Sequence, residues 1–259
     1  MSPKPGARLY VESGLAAGAA VALSPGQAHQ LRAVLRLGPG DAVTLFNTRD
    51  GEWLARIVTM TRGGCTVAPE RLLRAQEDEG DLWLVFAPIK RARLDVLIEK
   101  ATELGVSALC PVITAHTNVE RLNPDRLAAI AREAAEQSER LTLPDIRPAV
   151  PLARLLADWP AGRRLVLCDE TGAAPPAAAA LAALPAGPRA VLIGPEGGFA
   201  ESELDALRKL PFVCPVGLGP RVLRSDTAAI AGLAVVQSLG GDWDAVRRRR
   251  LQGRAAPIR

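Results

Sequence analysis

Two short stretches hold the residue types with the widest chemical scope. Gly194-Pro195-Glu196-Gly197-Gly198-Phe199 follows the apolar run Val191-Leu192-Ile193. Gly217-Leu218-Gly219-Pro220-Arg221-Val222-Leu223-Arg224-Ser225-Asp226-Thr227 follows Val213-Cys214-Pro215-Val216. Glycines let a backbone turn tightly and let a ligand approach its N–H groups. The first loop lacks the lysine of a G-x-x-x-x-G-K-[ST] phosphate loop, and its spacing is not G-x-G-x-x-G. The helix expected after it opens with Glu201 and Glu203, which already complement a positive helix terminus. A dense anion is thereby disfavoured; a ligand with amide-like edges, such as an adenine or an amino-acid group, is favoured, and a plain strand-to-helix turn is the alternative. The second loop adds Arg221 and Arg224, whose planar forks suit phosphates or base edges; two surface arginines without a ligand are the alternative. Ser225 is the expected N-cap of the next helix. That helix, expected over residues 228–239, is apolar all round, so it needs burial within the domain or against another chain.

Other polar groups read less sharply. Lys90-Arg91-Ala92-Arg93 follows an apolar run and could contact phosphates or simply begin a solvated helix. Glu133, Gln137 and Arg140 fall on one expected helix face, either an ordinary polar face or a wall of the site. Arg132 with Glu136, and Glu136 with Arg140, have i,i+4 spacing. His29 and His116 have no metal-type partners nearby and read as plain residues rather than catalysts. Cys65, Cys110, Cys168 and Cys214 form no C-x-x-C pair and lie in or beside apolar runs, so buried thiols are expected and no metal site is.

The elements that must position these groups change character along the chain. Residues 8–72 read as short strands (8–11, 19–23, 42–46, 53–60 and 65–69) with one helix from Ser24-Pro25 to about Leu35, the pattern of a small barrel or meander. Arg32, Arg36, Arg49, Arg56 and Arg62 give it a basic surface. Residues 74–81 are acidic and without apolar periodicity, and the domain boundary is placed there. From Leu82 onward strands alternate with helices: strands at 82–87, 108–113, 165–168, 191–193 and 213–216, helices near 94–104, 124–140 and 201–210. Alternation of this kind implies a mainly parallel sheet, and ligands of open α/β sheets bind at loops following the strands' carboxyl ends. Residues 175–184 are Ala-rich and read as helix or loop.

Composition bounds the function. The chain has 259 residues, 48% of them hydrophobic, enough for a substantial core. No apolar run reaches the length of a membrane span, and residues 1–15 lack the continuous apolar stretch of a secretory signal, so the cytosol is the expected location. The net charge of +4 is unevenly spread: residues 247–259 hold six arginines and no acid. Basic excess at both ends is the footprint of a polyanionic partner, with a solvated tail as the alternative for the carboxyl end.

Taken together, His29 with Val34-Leu35-Arg36, Gly40-Asp41, Lys90-Arg91 with residues 98–105 (IEKATELG), residues 133–138 (EAAEQS), residues 193–199 and residues 218–228 closely resemble the RsmE family, bacterial methyltransferases of the SPOUT superfamily. Tyr10 stands where the family usually has phenylalanine, Ser225-Asp226 replaces its usual Thr-Glu, and the Arg-rich tail lies outside its pattern. The resemblance implies an α/β fold: a small PUA-like β-barrel domain for RNA over residues 1–74, a linker over 75–81, and a SPOUT methyltransferase domain with a parallel sheet and a deep trefoil knot over 82–246, before the tail at 247–259. It implies methylation of uridine N3 in small-subunit (16S) ribosomal RNA, free or in the assembled subunit, with S-adenosyl-L-methionine as methyl donor and a homodimer formed through the knot domain. The cofactor would lie on Ile193, Gly194, Pro195, Glu196, Gly197, Gly198, Leu218, Gly219, Val222, Leu223 and Thr227. Arg224 or Arg221 would supply the cation for catalysis, and Arg8, Arg32, Arg36, Lys90, Arg91 and Arg140 would meet RNA. A non-catalytic RNA-binding or ribosome-assembly protein is the rival reading, distinguished by failure to bind the cofactor.

Overall fold

The computed structural model describes residues 6–118 and 121–243. The Arg-rich stretch 247–259 lies outside the described residues. The chain forms two compact units. The first comprises the N-terminal residues up to Asp78 together with Arg132–Leu143, and the second comprises Glu79–Ala131 with the residues from Pro144 onward.

In the first unit, β1 (Arg8–Tyr10), β2 (Val21–Ala22), β3 (Ala42–Asn47), β4 (Gly51–Met60) and β5 (Cys65–Arg74) form a five-stranded sheet in the order β1-β3-β4-β5-β2. Only β1–β3 is parallel among these pairs. In mid-β4 burial alternates, with Ala55 and Ile57 inside and Arg56 and Val58 outside, the period of a half-buried strand. Three register shifts between β4 and β5 add local twist and curl the sheet around Leu9, Leu31, Leu45, Ile57 and Val67. The helix expected from Pro25 to about Leu35 divides into two parts. The short α1 (Pro25–His29) is closed by a Ser24–Gln27 capping box, and a π-helical turn follows over Gln30–Val34. The strand expected over 65–69 is longer than its apolar run, since β5 runs on to Arg74 through pairing with Glu52.

The second unit is a wholly parallel sheet with helices on both faces. Its elements are β6 (Leu82–Phe86), α2 (Arg91–Glu103), β7 (Ala108–Ile113), α3 (Pro124–Gln137), β8 (Asp145–Ile146), β9 (Val150–Pro151), α4 (Leu152–Ala157), β10 (Arg164–Cys168), α5 (Ala177–Ala182), β11 (Arg189–Ile193), α6 (Glu201–Arg208), β12 (Val213–Val216) and α7 (Ser225–Gly240). The strand order is β12-β10-β11-β6-β7-β8, with β9 also pairing with β7. Strands buried on both faces read as continuous apolar runs, and here alternate residues divide between two cores. Leu84, Phe86, Val166, Val191 and Ile193 pack with residues of α2, α5 and α7. Trp83, Val85, Leu165, Leu167 and Leu192 pack with residues of α4 and α6.

The end of α3 departs from the expected polar face. Its last residues belong to the first unit, where Ala135 and Leu141 pack with Phe46. Glu136 accepts a hydrogen bond from the Tyr10 N–H (2.8 Å), and Arg132 lies over the Tyr10 ring. The helix stops at Gln137, and Glu139 takes φ 61°, so Arg140 leaves the helix and is buried rather than continuing the i,i+4 series.

Candidate functional site

The strand order brings three loops side by side. β10 lies between β11 and β12, in register at Leu167↔Leu192 and Cys168↔Val216. The two glycine-rich loops therefore flank the loop after β10, residues 169–176, whose place in the site the sequence pattern did not reveal. The three loops enclose a cavity of about 790 Å³, with Arg93 and Ala228 also on its wall.

Each loop has a local reason for its path. Gly194 faces the ring of Phe199, 2.9 Å from where a Cβ would stand, so the first loop folds back over its own buried phenylalanine. Glu203 then closes the start of α6 by accepting the Ala200 N–H (3.0 Å) and also accepts the Ala115 N–H (2.9 Å). In the third loop Gly219 has φ 106°, a backbone that side-chain-bearing residues avoid. Gly217 donates to the Pro175 carbonyl (2.8 Å) and accepts from the Ala177 N–H (3.0 Å), pinning the third loop to the middle one. The middle loop is shaped by Asp169. Its carboxylate is almost wholly buried, accepting the Thr171 N–H (2.9 Å), the Thr171 hydroxyl (2.6 Å) and Arg208 Nη2 (2.6 Å). Burial alone would raise this carboxyl, but the Thr171 and Arg208 hydrogen bonds outweigh it and hold it below its ordinary value. Cys168 beside it is driven the other way, its thiol pushed up to about 12 by burial and then by the charge of Glu170.

Most of the expected cofactor positions meet at this cavity: Ile193, Gly194, Pro195, Glu196, Gly198, Leu218, Gly219, Val222 and Leu223 line it, as do Arg221 and Arg224. Gly197 and Thr227 do not; Gly197 turns toward His116, whose Cβ would stand 3.5 Å from a Cβ placed on the glycine, and Thr227 is exposed on α7. His116, read as a plain residue, touches the first glycine loop, with Nδ1 3.1 Å from the Gly198 carbonyl oxygen. Glu133, Gln137 and Arg140 belong to the first unit and are not among the residues that line this cavity. The missing wall is Asp169, Glu170, Thr171, Gly172, Ala174 and Pro176. Its one sequence signal was a position after a strand's carboxyl end; it has no glycine repeat to mark it.

The helix entering from the third loop also starts differently from expectation. Arg224, not Ser225, is the N-cap, and Ser225 is buried in the first turn of α7, because the helix begins three residues before the expected Ala228. Gly232 allows that helix to approach the sheet, since a Cβ there would stand 3.0 Å from Cys168 Sγ and 3.2 Å from Val191. Ala229, Gly232, Leu233 and Val236 are buried, whereas Ile230, Ala231, Ala234 and Val235 are half-buried.

The expected RNA contacts divide. Arg32, Arg36, Lys90 and Arg91 are exposed. Arg8 and Arg140 are not surface cations. Arg8 pairs with Glu52 (2.6 Å), donates to the Ala135 carbonyl (2.8 Å) and stacks over Phe46. Arg140 is 7% exposed and donates to the Thr142 hydroxyl (2.8 Å). Both hold the first unit together, the physical reason they are withdrawn from a polyanion. Cys65, Cys110 and Cys168 are buried free thiols, and Cys214 is half-buried. No helix among the described residues is long and apolar enough to cross a membrane.

Residues 76–237 match the RNA methyltransferase domain model, and residues 23–70 match the RNA methyltransferase PUA domain model. The ribosomal RNA small subunit methyltransferase E of Rickettsia conorii is 32% identical over 92% of this chain and 98% of its own length. The protein of the same name from Synechocystis is 30% identical over 85% of this chain and 74% of its own. Among solved structures, the ribosomal RNA small subunit methyltransferase E of Neisseria gonorrhoeae, bound to S-adenosyl methionine, superposes with a TM-score of 0.81 at 28% identity, covering 92% of this chain and 99% of that one. A Legionella pneumophila chain solved with the same cofactor gives 0.82 at 30% identity, covering 91% and 98%. With a family model spanning well over half its length and relatives aligned nearly end to end, the chain belongs to the RNA methyltransferase family, among the proteins named ribosomal RNA small subunit methyltransferase E.

Proposed function

We propose that this chain methylates small-subunit (16S) ribosomal RNA at uridine N3, using S-adenosyl-L-methionine, as a cytoplasmic homodimer whose second unit carries the family's trefoil knot. The observation that carries the reading is the three-loop cavity, which combines the features such a cofactor requires. Ile193, Leu218 and Leu223 offer apolar surface for a base, and Val222, 85% exposed at the rim, leaves a large apolar side chain for a ligand to cover. Backbone groups at Gly194 and Gly219 offer amide edges. Glu170 and Glu196 suit the cationic part of a sulfonium amino acid, and Arg93 suits its carboxylate. About 790 Å³ lies within the range of small-molecule sites.

When bound, S-adenosyl-L-methionine supplies a methyl group activated by positive sulfur. The chain's own part concerns the acceptor. Uridine N3 carries a proton that must leave as the new N–C bond forms, so negative charge develops on the base. Arg221 and Arg224, both exposed on the cavity's rim, stabilise that charge electrostatically. Neither is a base, since a guanidinium stays protonated; the proton passes to solvent or another acceptor. Arg32, Arg36, Lys90 and Arg91 position RNA through its phosphates, which makes binding salt-dependent. The half-buried apolar face of α7 supports pairing with a second copy.

The deciding experiment incubates undermodified small-subunit ribosomal RNA with the chain and labelled cofactor, followed by reverse transcription. Methylation at N3 blocks Watson–Crick pairing, so label incorporation with a stop at one uridine is the expected result; absence of both defeats the proposal. Arg224→Ala should lower kcat about 100-fold or more, in the range for losing an electrostatic stabiliser of a transition state, and change cofactor affinity far less. Equal losses in turnover and cofactor affinity would instead put Arg224 in the binding wall.

A further inference from the structure

Arg208 is not among the residues lining the cavity, yet it is bonded to the loop between the two glycine-rich ones. It lies in the last turn of α6, with its side chain 34% exposed, while Asp169 opposite it is 1% exposed. Its Nη2 and Nε reach Asp169 Oδ2 at 2.6 and 3.2 Å, and Nη2 also reaches the Thr171 hydroxyl at 3.0 Å. Thr171 in turn donates to the other oxygen of Asp169. The three side chains form a closed set in which each fixes the others.

The loop so fixed is tied to both neighbours. Toward the first glycine loop, Glu170 Oε1 lies 3.4 Å from the Phe199 N–H and 2.6 Å from where a Cβ on Gly198 would stand. Toward the third loop, the Asp169 N–H donates to the Val216 carbonyl (2.9 Å), and the Pro175 carbonyl accepts from Gly217 (2.8 Å). Loss of the fork would leave a buried carboxylate under-paired, a costly state that the loop can escape by opening. Opening shifts the middle wall and loosens its contacts with both glycine loops.

We propose that Arg208 is a positioning residue for the cofactor: from outside the cavity it holds residues 169–176, through Asp169 and Thr171, in the shape that lets all three loops grip one ligand. This rests on the methyltransferase reading. It assigns to Arg208 control of cofactor affinity, not of the methyl-transfer step or of RNA binding.

The test measures S-adenosyl-L-methionine binding by calorimetry, steady-state methylation of undermodified small-subunit ribosomal RNA, and thermal melting, for the full chain and for Arg208→Ala, Arg208→Lys and Thr171→Val. Arg208→Ala is expected to raise Kd and KM for the cofactor about tenfold, with kcat and the KM for RNA within about twofold of wild type. Arg208→Lys should recover part of the affinity, because an ammonium keeps the charge but loses the two-nitrogen fork. Thr171→Val should weaken cofactor binding less than Arg208→Ala. Unchanged cofactor affinity in Arg208→Ala overturns the proposal. So does a parallel fall in cofactor affinity, RNA affinity and kcat that tracks the melting temperature, the mark of a general structural defect. If Arg208→Ala does not fold, Arg208→Lys and Thr171→Val decide: wild-type cofactor affinity in both overturns it. A wild-type chain that binds no cofactor at millimolar concentration defeats the methyltransferase reading instead, and does so before any substitution is made.

Discussion

Asp169 and Cys168 are chain neighbours at the end of β10 with opposite responses to the same burial. The carboxylate has three donated hydrogen bonds besides its charge partner's second nitrogen, so it stays ionised; the thiol has Glu170 beside it and no compensating cation, and rises to about 12. Cys110 is likewise pushed up, to about 11, mainly by burial. Thiolates, not thiols, are the nucleophiles. Both cysteines should therefore resist iodoacetamide at pH 8 in the native chain and react after denaturation, as read by mass spectrometry of digested peptides. Rapid native labelling of Cys168 would mean that the middle loop opens. Burial of Cys65, Cys110 and Cys168 was legible from the apolar runs they sit in, whereas Cys214, read the same way, is half-buried. The Asp169 site was not legible, because its charge partner, Arg208, lies in another element, α6, far along the chain.

At the scale of elements, glycine repeats gave away two loops but not the third. A tight turn demands glycine whatever the sheet order, so residues 194–198 and 217–219 stand out locally. Residues 169–176 stand out only when β10 is seen between β11 and β12. The start of β4 makes a related point. Gly51 has φ 78°, and a Cβ there would stand 2.2 Å from the Arg74 carbonyl oxygen. Both the backbone region and the contact exclude a side chain, and the atoms met there, from Arg74, Ala75 and Gln76, are all backbone. Gly51→Ala is expected to destabilise the first unit by about 3 kcal/mol, combining left-handed strain with a forced backbone shift. Denaturant unfolding measures it, and a midpoint equal to wild type would show that β4 and β5 part there without cost.

At the scale of the molecule, the first unit depends on a segment far along the chain. Residues 132–143 complete it, and Arg8 ties them in through the Ala135 carbonyl while pairing with Glu52, which also binds Arg74 (2.7 Å). Burial would raise the Glu52 carboxyl, but hydrogen bonds from Arg74 and Arg8 outweigh it and bring it below its ordinary value. A depressed carboxylate stabilises above its unfolded value and loses that contribution as pH falls through the lowered folded value. The melting temperature should therefore fall as pH drops below about 4. Glu52→Gln should cost about 3 kcal/mol at neutral pH, because the largely buried Arg8 loses its hydrogen-bonded carboxylate partner. The variant should also lose part of the acid dependence; an acid profile identical to wild type would remove Glu52 from the account.

What the sequence determined by itself is what local physics imposes. Apolar runs set β6, β10 and β11, the Ser24-Pro25 signal set the start of α1, glycine loops marked two walls of the cavity, and Arg221 and Arg224 fell at its rim. Tertiary structure alone decided strand order, and with it the third wall. It withdrew Arg8 and Arg140 from the surface into ion-pair and packing roles, and returned residues 132–143 to the first unit. A residue's type and its near neighbours fix its backbone preference and its affinity for water. Which distant charge it meets depends on how the sheets are ordered, and pairings such as Arg208 with Asp169 leave no periodic trace in the chain.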